Sequence, residues 1–252
     1  MDKAQAYIRI QELKEIIIEA NRKYYVDNSP VLSDFEFDML LKELESLENE
    51  YPEYQTADSP TRKVGSDLKT AGKSSKGNGK EFEQHPHKYP MLSLGNTYDL
   101  TEVEAFATRA SKDIGTGFTY SCELKFDGTA ICLTYRDGKL FRALTRGDGR
   151  IGDDVTENVR QIGNIPQQLT VPSDFVPTLL QSSPWPDEFE IRGEIYMPWE
   201  SFERLNEERL KDEEQPFANP RNAASGSLKL IDSRMVAGRG LECTLYHMLG
   251  DD

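Results

Sequence analysis

Lys125 stands between two carboxylates in the run Glu123-Leu124-Lys125-Phe126-Asp127-Gly128, and its amine is a candidate nucleophile. Attack through nitrogen needs the neutral amine, so the surroundings must disfavour the proton by desolvation or by neighbouring positive charge. Two later runs carry further charge: Thr145-Arg146-Gly147-Asp148-Gly149 and Glu190-Ile191-Arg192-Gly193-Glu194. Phosphoryl transfer rests on alignment and charge stabilisation, so an amine, nearby guanidinium groups and a divalent cation form a sufficient set. On its own a Lys-x-Asp-Gly reads more readily as an ordinary Asp-Gly turn, and the three runs in order are what point to chemistry.

The elements that must position these groups can be read from periodicity. Tyr120 to Leu124 alternates like a half-buried strand and Thr129 to Tyr135 is rich in β-branched and aromatic residues, which places Lys125 on a short link between two strands. Arg136-Asp137-Gly138-Lys139 predicts a hairpin turn into a third strand, Leu140 to Thr145, and Phe189 to Met197 predicts another. Residues 101–113 and 201–212 read as helices. Nearer the start, Ile8, Leu13, Ile16 and Ile17 recur at helical intervals, and the capping box Ser33-Asp34-Phe35-Glu36 opens a second helix to Glu50 with Phe37, Leu40, Leu41, Leu44 and Leu47 on one face. Leu68 to Lys80 is rich in Gly, Ser and Lys and predicts a mobile surface segment. Thr170 to Asp187, with four prolines, predicts an irregular surface connection. The small residues of Phe217 to Lys229 suit tight packing or close approach of backbone to a ligand.

Composition narrows the classes. The chain of 252 residues is 37% hydrophobic, has no apolar run long enough to cross a bilayer and opens without a signal-peptide pattern, so the expectation is a cytoplasmic protein without membrane contact. Cys122, Cys132 and Cys243 lack metal-site spacing and predict reduced, mostly buried thiols, with neither disulfide nor zinc. His85 and His87 lack a third ligand nearby, and Gly72-Lys73-Ser74 lacks the upstream glycine and strand of a phosphate-binding loop. Of the net charge of −14, residues 1–60 contribute −8. That segment is a poor surface for nucleic acid and a better one for a protein face or a cationic small molecule.

The three charged runs resemble the nucleotidyltransferase core of DNA ligases and capping enzymes, in which the motif lysine becomes linked to a nucleoside monophosphate. Together with Tyr24-Tyr25, Asp34, Phe37 and Asp38, with Asp58-Ser59-Pro60-Thr61-Arg62-Lys63-Val64-Gly65, with Pro90-Met91-Leu92-Ser93-Leu94-Gly95-Asn96 and with Phe217 to Lys229, they resemble bacterial NAD-dependent DNA ligase. Tyr25 stands where histidine is often found, Phe37 where tyrosine is usual, and Gly95 in place of a usual aspartate.

The resemblance implies an α+β fold: a helical nicotinamide mononucleotide-binding module over residues 1–65, a flexible linker over 66–88, and an antiparallel-sheet, ATP-grasp-like adenylation domain over 89–252 that is incomplete at its C-terminus. It implies Lys125 as the nucleophile toward NAD+, and Tyr24, Tyr25, Asp34, Phe37, Asp38, Ser93, Leu94, Glu123, Asp127, Gly128, Arg146 and Glu194 as residues that hold NAD+. Glu194 and Asp127 are the implied ligands for Mg2+ or Mn2+, and Arg221 and Lys229 the candidates for DNA phosphate. The implied partner is nicked duplex DNA, bound by a monomer of the complete enzyme. The family's later lysine motifs, oligonucleotide-binding barrel, zinc module and helix-hairpin-helix domains do not occur in these residues, so a fragment is expected. Two other readings stay open at this stage: a nucleotidyltransferase of the capping or RNA-ligase type using ATP or GTP, and a non-catalytic nicotinamide-nucleotide-binding module.

Overall fold

A computed structural model describes residues 2–25, 31–56, 59–62, 82–92, 94–175 and 184–250; the side chains of Tyr25 and Asp34 and the segment Leu68 to Lys80 lie outside this description. The protein is α+β, a helical hairpin followed by antiparallel sheets.

The hairpin joins α1 (Lys3–Tyr25) to α2 (Asp34–Glu50). Its seam is Ala6, Ile10, Leu13 and Ile17 against Leu44 and Leu47. Ile8 and Ile16, expected on that face, are 57% and 41% exposed, because a turn of 3.6 residues aligns positions 6, 10, 13 and 17 and rotates 8 and 16 away. Ser33 caps α2 through the expected capping box, its hydroxyl accepting the Glu36 N–H while the Glu36 carboxylate accepts the Ser33 N–H. At the far end of α2 a fully buried Glu48 accepts bonds from Ser59 Oγ at 2.7 Å and Thr61 Oγ1 at 2.6 Å and pairs with the buried Lys14 at 3.0 Å. This network fastens the short turn Pro60–Arg62 back onto the hairpin.

The main sheet has four antiparallel strands in the order β3-β2-β5-β6: β2 (Thr129–Arg136), β3 (Lys139–Thr145), β5 (Glu188–Tyr196) and β6 (Glu242–Leu249). Asp137 and Gly138, at φ of 48° and 70°, make the β2–β3 hairpin turn that their sequence predicts. A second sheet pairs β1 (Gln84–Pro86), inside the stretch expected as linker, with β4 (Ile151–Asp153). One face of the main sheet carries Ile131, Leu133, Tyr135, Phe189 and Ile195 into a core closed by Val155, Val159, Ile162, Phe202, Leu205, Ala223, Ala224 and Leu228. These come from α4 (Thr156–Val159), α5 (Trp199–Lys211), α6 (Pro220–Leu228) and their flanks.

The small residues of Phe217 to Lys229 thus form a helix, capped by Asn219, whose Ala223, Ala224 and Ser227 allow close packing. α3 (Leu100–Ile114) is helical as expected and buries none of its residues. Tyr120 to Leu124, by contrast, forms no strand and pairs with no described strand. Both edges of β2 are taken, by β3 and by β5, and alternation alone supplies no partner for a backbone ladder. Lys125 therefore lies on the approach to β2 rather than on a link between two strands.

Candidate active site

Lys125 is exposed, and the three residues after it are each tied to a different element. The Phe126 ring stacks on Tyr196 at the end of β5, with centroids 4.8 Å apart. Asp127 accepts a bond from Arg221 of α6 at 3.1 Å. Gly128 is buried where β2 meets β5, and a Cβ there would lie 2.1 Å from the Ile195 carbonyl oxygen, so only glycine lets the loop enter the sheet at this point.

The chemistry collects around Glu194. It alternates along β5 with the core residue Ile195. Burial pushes its carboxyl above the usual carboxylate range, and the opposing pull of Lys125, Arg221, the Gly128 N–H and Arg146 does not cancel that. Lys125, Arg221 and Arg146, widely separated in sequence, thus all act electrostatically on one carboxylate. Glu123 is exposed and accepts a bond from Ser121 at 3.1 Å. Among the described residues no three metal-ligating side chains come together.

Arg146 opens a tight turn. Gly147 and Gly149 take φ of 54° and 86°, and Asp148 Oδ1 accepts the N–H groups of Arg150 and Ile151, both at 2.8 Å. Those two amides hold the Asp148 carboxyl below its usual range. The segment 87–91 is stitched across this turn and the sheet. His87 Nε2 donates to the carbonyls of Thr145 and Arg146, the Met91 N–H donates to the Gly149 carbonyl at 2.8 Å, and Arg192 donates to the carbonyls of Tyr89 and Pro90. Leu94 then projects 79% exposed, while Ser93 lies outside the described residues.

Lys229, at the C-cap of α6, bonds Asp153 of β4 at 2.9 Å, and Asp153 also accepts from Gln84 at 2.9 Å. Burial pushes the Asp153 carboxyl up, but the bonds from Gln84 and Lys229 outweigh it and leave it below the usual range. Sequence reading singled out neither Asp153 nor Arg192 for these jobs. Their partners lie 76 and about a hundred residues away, beyond any local signal.

On the hairpin, the Tyr24 carbonyl accepts a bond from the buried Asn222 of α6 at 3.2 Å. Asp38 accepts bonds from Asn96 and Tyr98. Phe37 is partly buried against Ile10, Leu13, Ile17, Leu44 and Leu47. Tyr25 and Asp34 lie next to these groups in sequence, but their side chains are not described.

Comparison with known proteins addresses both parts. The family described as NAD-dependent DNA ligase adenylation domain matches residues 79–252, and the family described as DNA ligase-like, N-terminal NAD+-binding domain matches residues 3–65. The chain is 50% identical over 244 residues to a DNA ligase of Bacteroides fragilis and 48% identical over 244 residues to one of Parabacteroides distasonis, alignments that cover 97% of the chain. It is 46% identical over 251 residues to a DNA ligase of Cytophaga hutchinsonii. In each case it spans 34% of the relative's length.

Proposed function

Because the chain belongs to the NAD-dependent DNA ligase adenylation domain family, we propose that Lys125 takes an adenylyl group from NAD+ as the first step of sealing a nick in duplex DNA. The neutral Lys125 amine attacks the adenylyl phosphorus; the N–P bond forms, the amine sheds its proton, and the bond to the outgoing phosphate oxygen breaks, releasing nicotinamide mononucleotide. AMP then passes from Lys125 to the 5′-phosphate of the nick, where the 3′-hydroxyl displaces it.

The observation that carries this reading is that the lysine loop is tied to α6 by the Asp127–Arg221 bond and to β5 by the Phe126–Tyr196 stack, with Lys125, Arg146 and Arg221 all pulling on the Glu194 carboxylate. Positive charge around a partly buried carboxylate suits a site that must hold a diphosphate and offset the charge developing as phosphorus is transferred. Mg2+ takes one or two carboxylates together with substrate phosphates, so Glu194 fits as its protein ligand, whereas Asp127 is already engaged by Arg221. That ion would offset the charge of the diphosphate. Arg221 in the first turn of α6 and Lys229 at its C-cap are the proposed contacts to DNA phosphate. The helical module of residues 1–65, carrying Tyr24, Tyr25, Asp34, Phe37 and Asp38, is proposed to hold the nicotinamide half. Carboxylates suit its cationic ring and its ribose hydroxyls.

The test is intact mass after incubation with NAD+ and Mg2+, with peptide mapping of any AMP adduct. The expected outcome is one adduct, on Lys125, absent from Lys125→Arg, which keeps its charge at all working pH and so offers no neutral amine. An adduct on a different lysine of the wild type overturns the assignment, and an adduct formed from ATP but not from NAD+ overturns the choice of donor.

A further inference from the structure

Where α2 of the helical module meets the residues before α3, one oxygen of Asp38 takes two bonds. Asn96 Nδ2 donates to Asp38 Oδ2 at 2.6 Å, and the Tyr98 hydroxyl donates to the same oxygen. Around this pair the contact is built on both sides. The Phe35 ring meets Tyr98 edge to face at 5.2 Å, the Lys42 ammonium lies 5.3 Å over the Tyr98 ring, and Lys42 also bonds Glu102 at 2.8 Å. Glu102 in turn accepts the Tyr98 N–H at 2.8 Å, which fixes the backbone that carries the phenol. Phe35, Asp38 and Lys42 are spaced three and four apart on α2, so one face of that helix grips Tyr98.

Both donors converge on Oδ2, and Oδ1 takes no bond from a described residue. A carboxylate held this way is fixed in orientation yet keeps one oxygen for a ligand. Asn96 also lies two residues after Leu94, in the segment that the resemblance implies to hold NAD+.

We propose that Tyr98 and Asn96 are positioning residues for the nicotinamide half of NAD+: they dock the helical module through Asp38 Oδ2 and aim Oδ1 at the cationic nucleotide. The proposal rests on the reading of residues 1–65 as the nicotinamide module. It separates the two ends of the dinucleotide, because losing the docking bonds weakens whatever needs Asp38 and leaves the adenylyl end untouched.

Calorimetry on residues 1–252 with NAD+, nicotinamide mononucleotide and AMP tests this, using Tyr98→Phe, Asn96→Asp and Asp38→Ala. Tyr98 is 43% exposed, so its loss of a hydroxyl leaves the fold intact. Removing one charge-assisted hydrogen bond lowers affinity roughly tenfold. The expected result for Tyr98→Phe is that loss for NAD+ and for nicotinamide mononucleotide, with AMP affinity and melting temperature unchanged. Asn96→Asp, which sets a carboxylate against Asp38, shows a larger loss of the same selectivity. If Asp38→Ala weakens NAD+ while Tyr98→Phe and Asn96→Asp do not, the inference is wrong and the nicotinamide reading survives. If Asp38→Ala leaves NAD+ affinity unchanged, that reading falls and takes the inference with it. Parallel loss of NAD+, AMP and thermal stability in Tyr98→Phe assigns the contact to folding alone and also overturns the proposal.

Discussion

Arg221 Nη1 donates to Asp127 Oδ1 at 3.1 Å, a bond across 94 residues that joins the lysine loop to the first turn of α6. Both side chains are open to solvent, at 34% and 68%, so the pair is screened and contributes about 0–1 kcal/mol to stability. Its value lies in geometry. Arg221→Ala should leave unfolding almost unchanged yet slow adenylylation of Lys125 on the order of 10²-fold. Asp127→Ala combined with Arg221→Ala should cost less than the two single changes multiplied, which rapid-quench rates on all four proteins would show. Strict multiplication would mean that the bond does not couple the two residues in the reaction.

Gly128 should tolerate no side chain. A Cβ would sit 2.1 Å from the Ile195 oxygen and 3.1 Å from the Tyr196 Cα, and both obstacles are backbone in the centre of the sheet. Gly128→Ala is expected to destabilise by roughly 1–3 kcal/mol in urea titrations, since the β2–β5 pairing must shift to admit the methyl group. A midpoint equal to that of the wild type contradicts this.

The Lys14–Glu48 pair should dominate the acid sensitivity of the helical hairpin. Burial raises the Glu48 carboxyl, but bonds from Thr61, Ser59 and Lys14 outweigh it and leave the carboxyl below its ordinary value. A depressed folded pKa contributes stability above the unfolded value of about 4.3, and that stability is lost as pH falls through the lower folded value. Glu48→Ala strands the buried ammonium and should cost about 3–5 kcal/mol at neutral pH. Glu48→Gln should flatten the acid limb of the melting-temperature profile. An acid limb identical to the wild type would place the sensitivity elsewhere.

Glu194 should show the opposite sign. Its folded pKa is raised, so it contributes most below the unfolded value of about 4.3 and that contribution is lost as pH rises through the raised value. Glu194→Gln, neutral throughout, should melt a few degrees higher than wild type near pH 7 and match it near pH 4, while adenylylation collapses by about 10²-fold or more. A variant that melts lower near neutral pH would mean the surrounding cations, rather than burial, set the balance at this carboxylate.

How much of this was legible in the chain depends on the range of the rule that each feature obeys. The α2 capping box, the Asp137-Gly138 hairpin and strands β2, β3 and β5 follow from residues within a few positions of one another. The runs around Lys125, Arg146 and Glu194 were likewise visible as charged runs in the chain. Local pattern failed at Tyr120 to Leu124, because a strand requires a neighbour and both edges of β2 are occupied. It also failed at Ile8 and Ile16, where helical phase rather than hydrophobicity decides which side chains are buried. Pairings such as Asp127 with Arg221, Asp153 with Lys229, Arg192 with the Tyr89 carbonyl and Asp38 with Tyr98 have no local signature. A charged residue in sequence announces only that it needs a partner or water. Which partner it meets is decided when burial of the apolar faces of the sheet and the hairpin fixes the remaining side chains at contact distance.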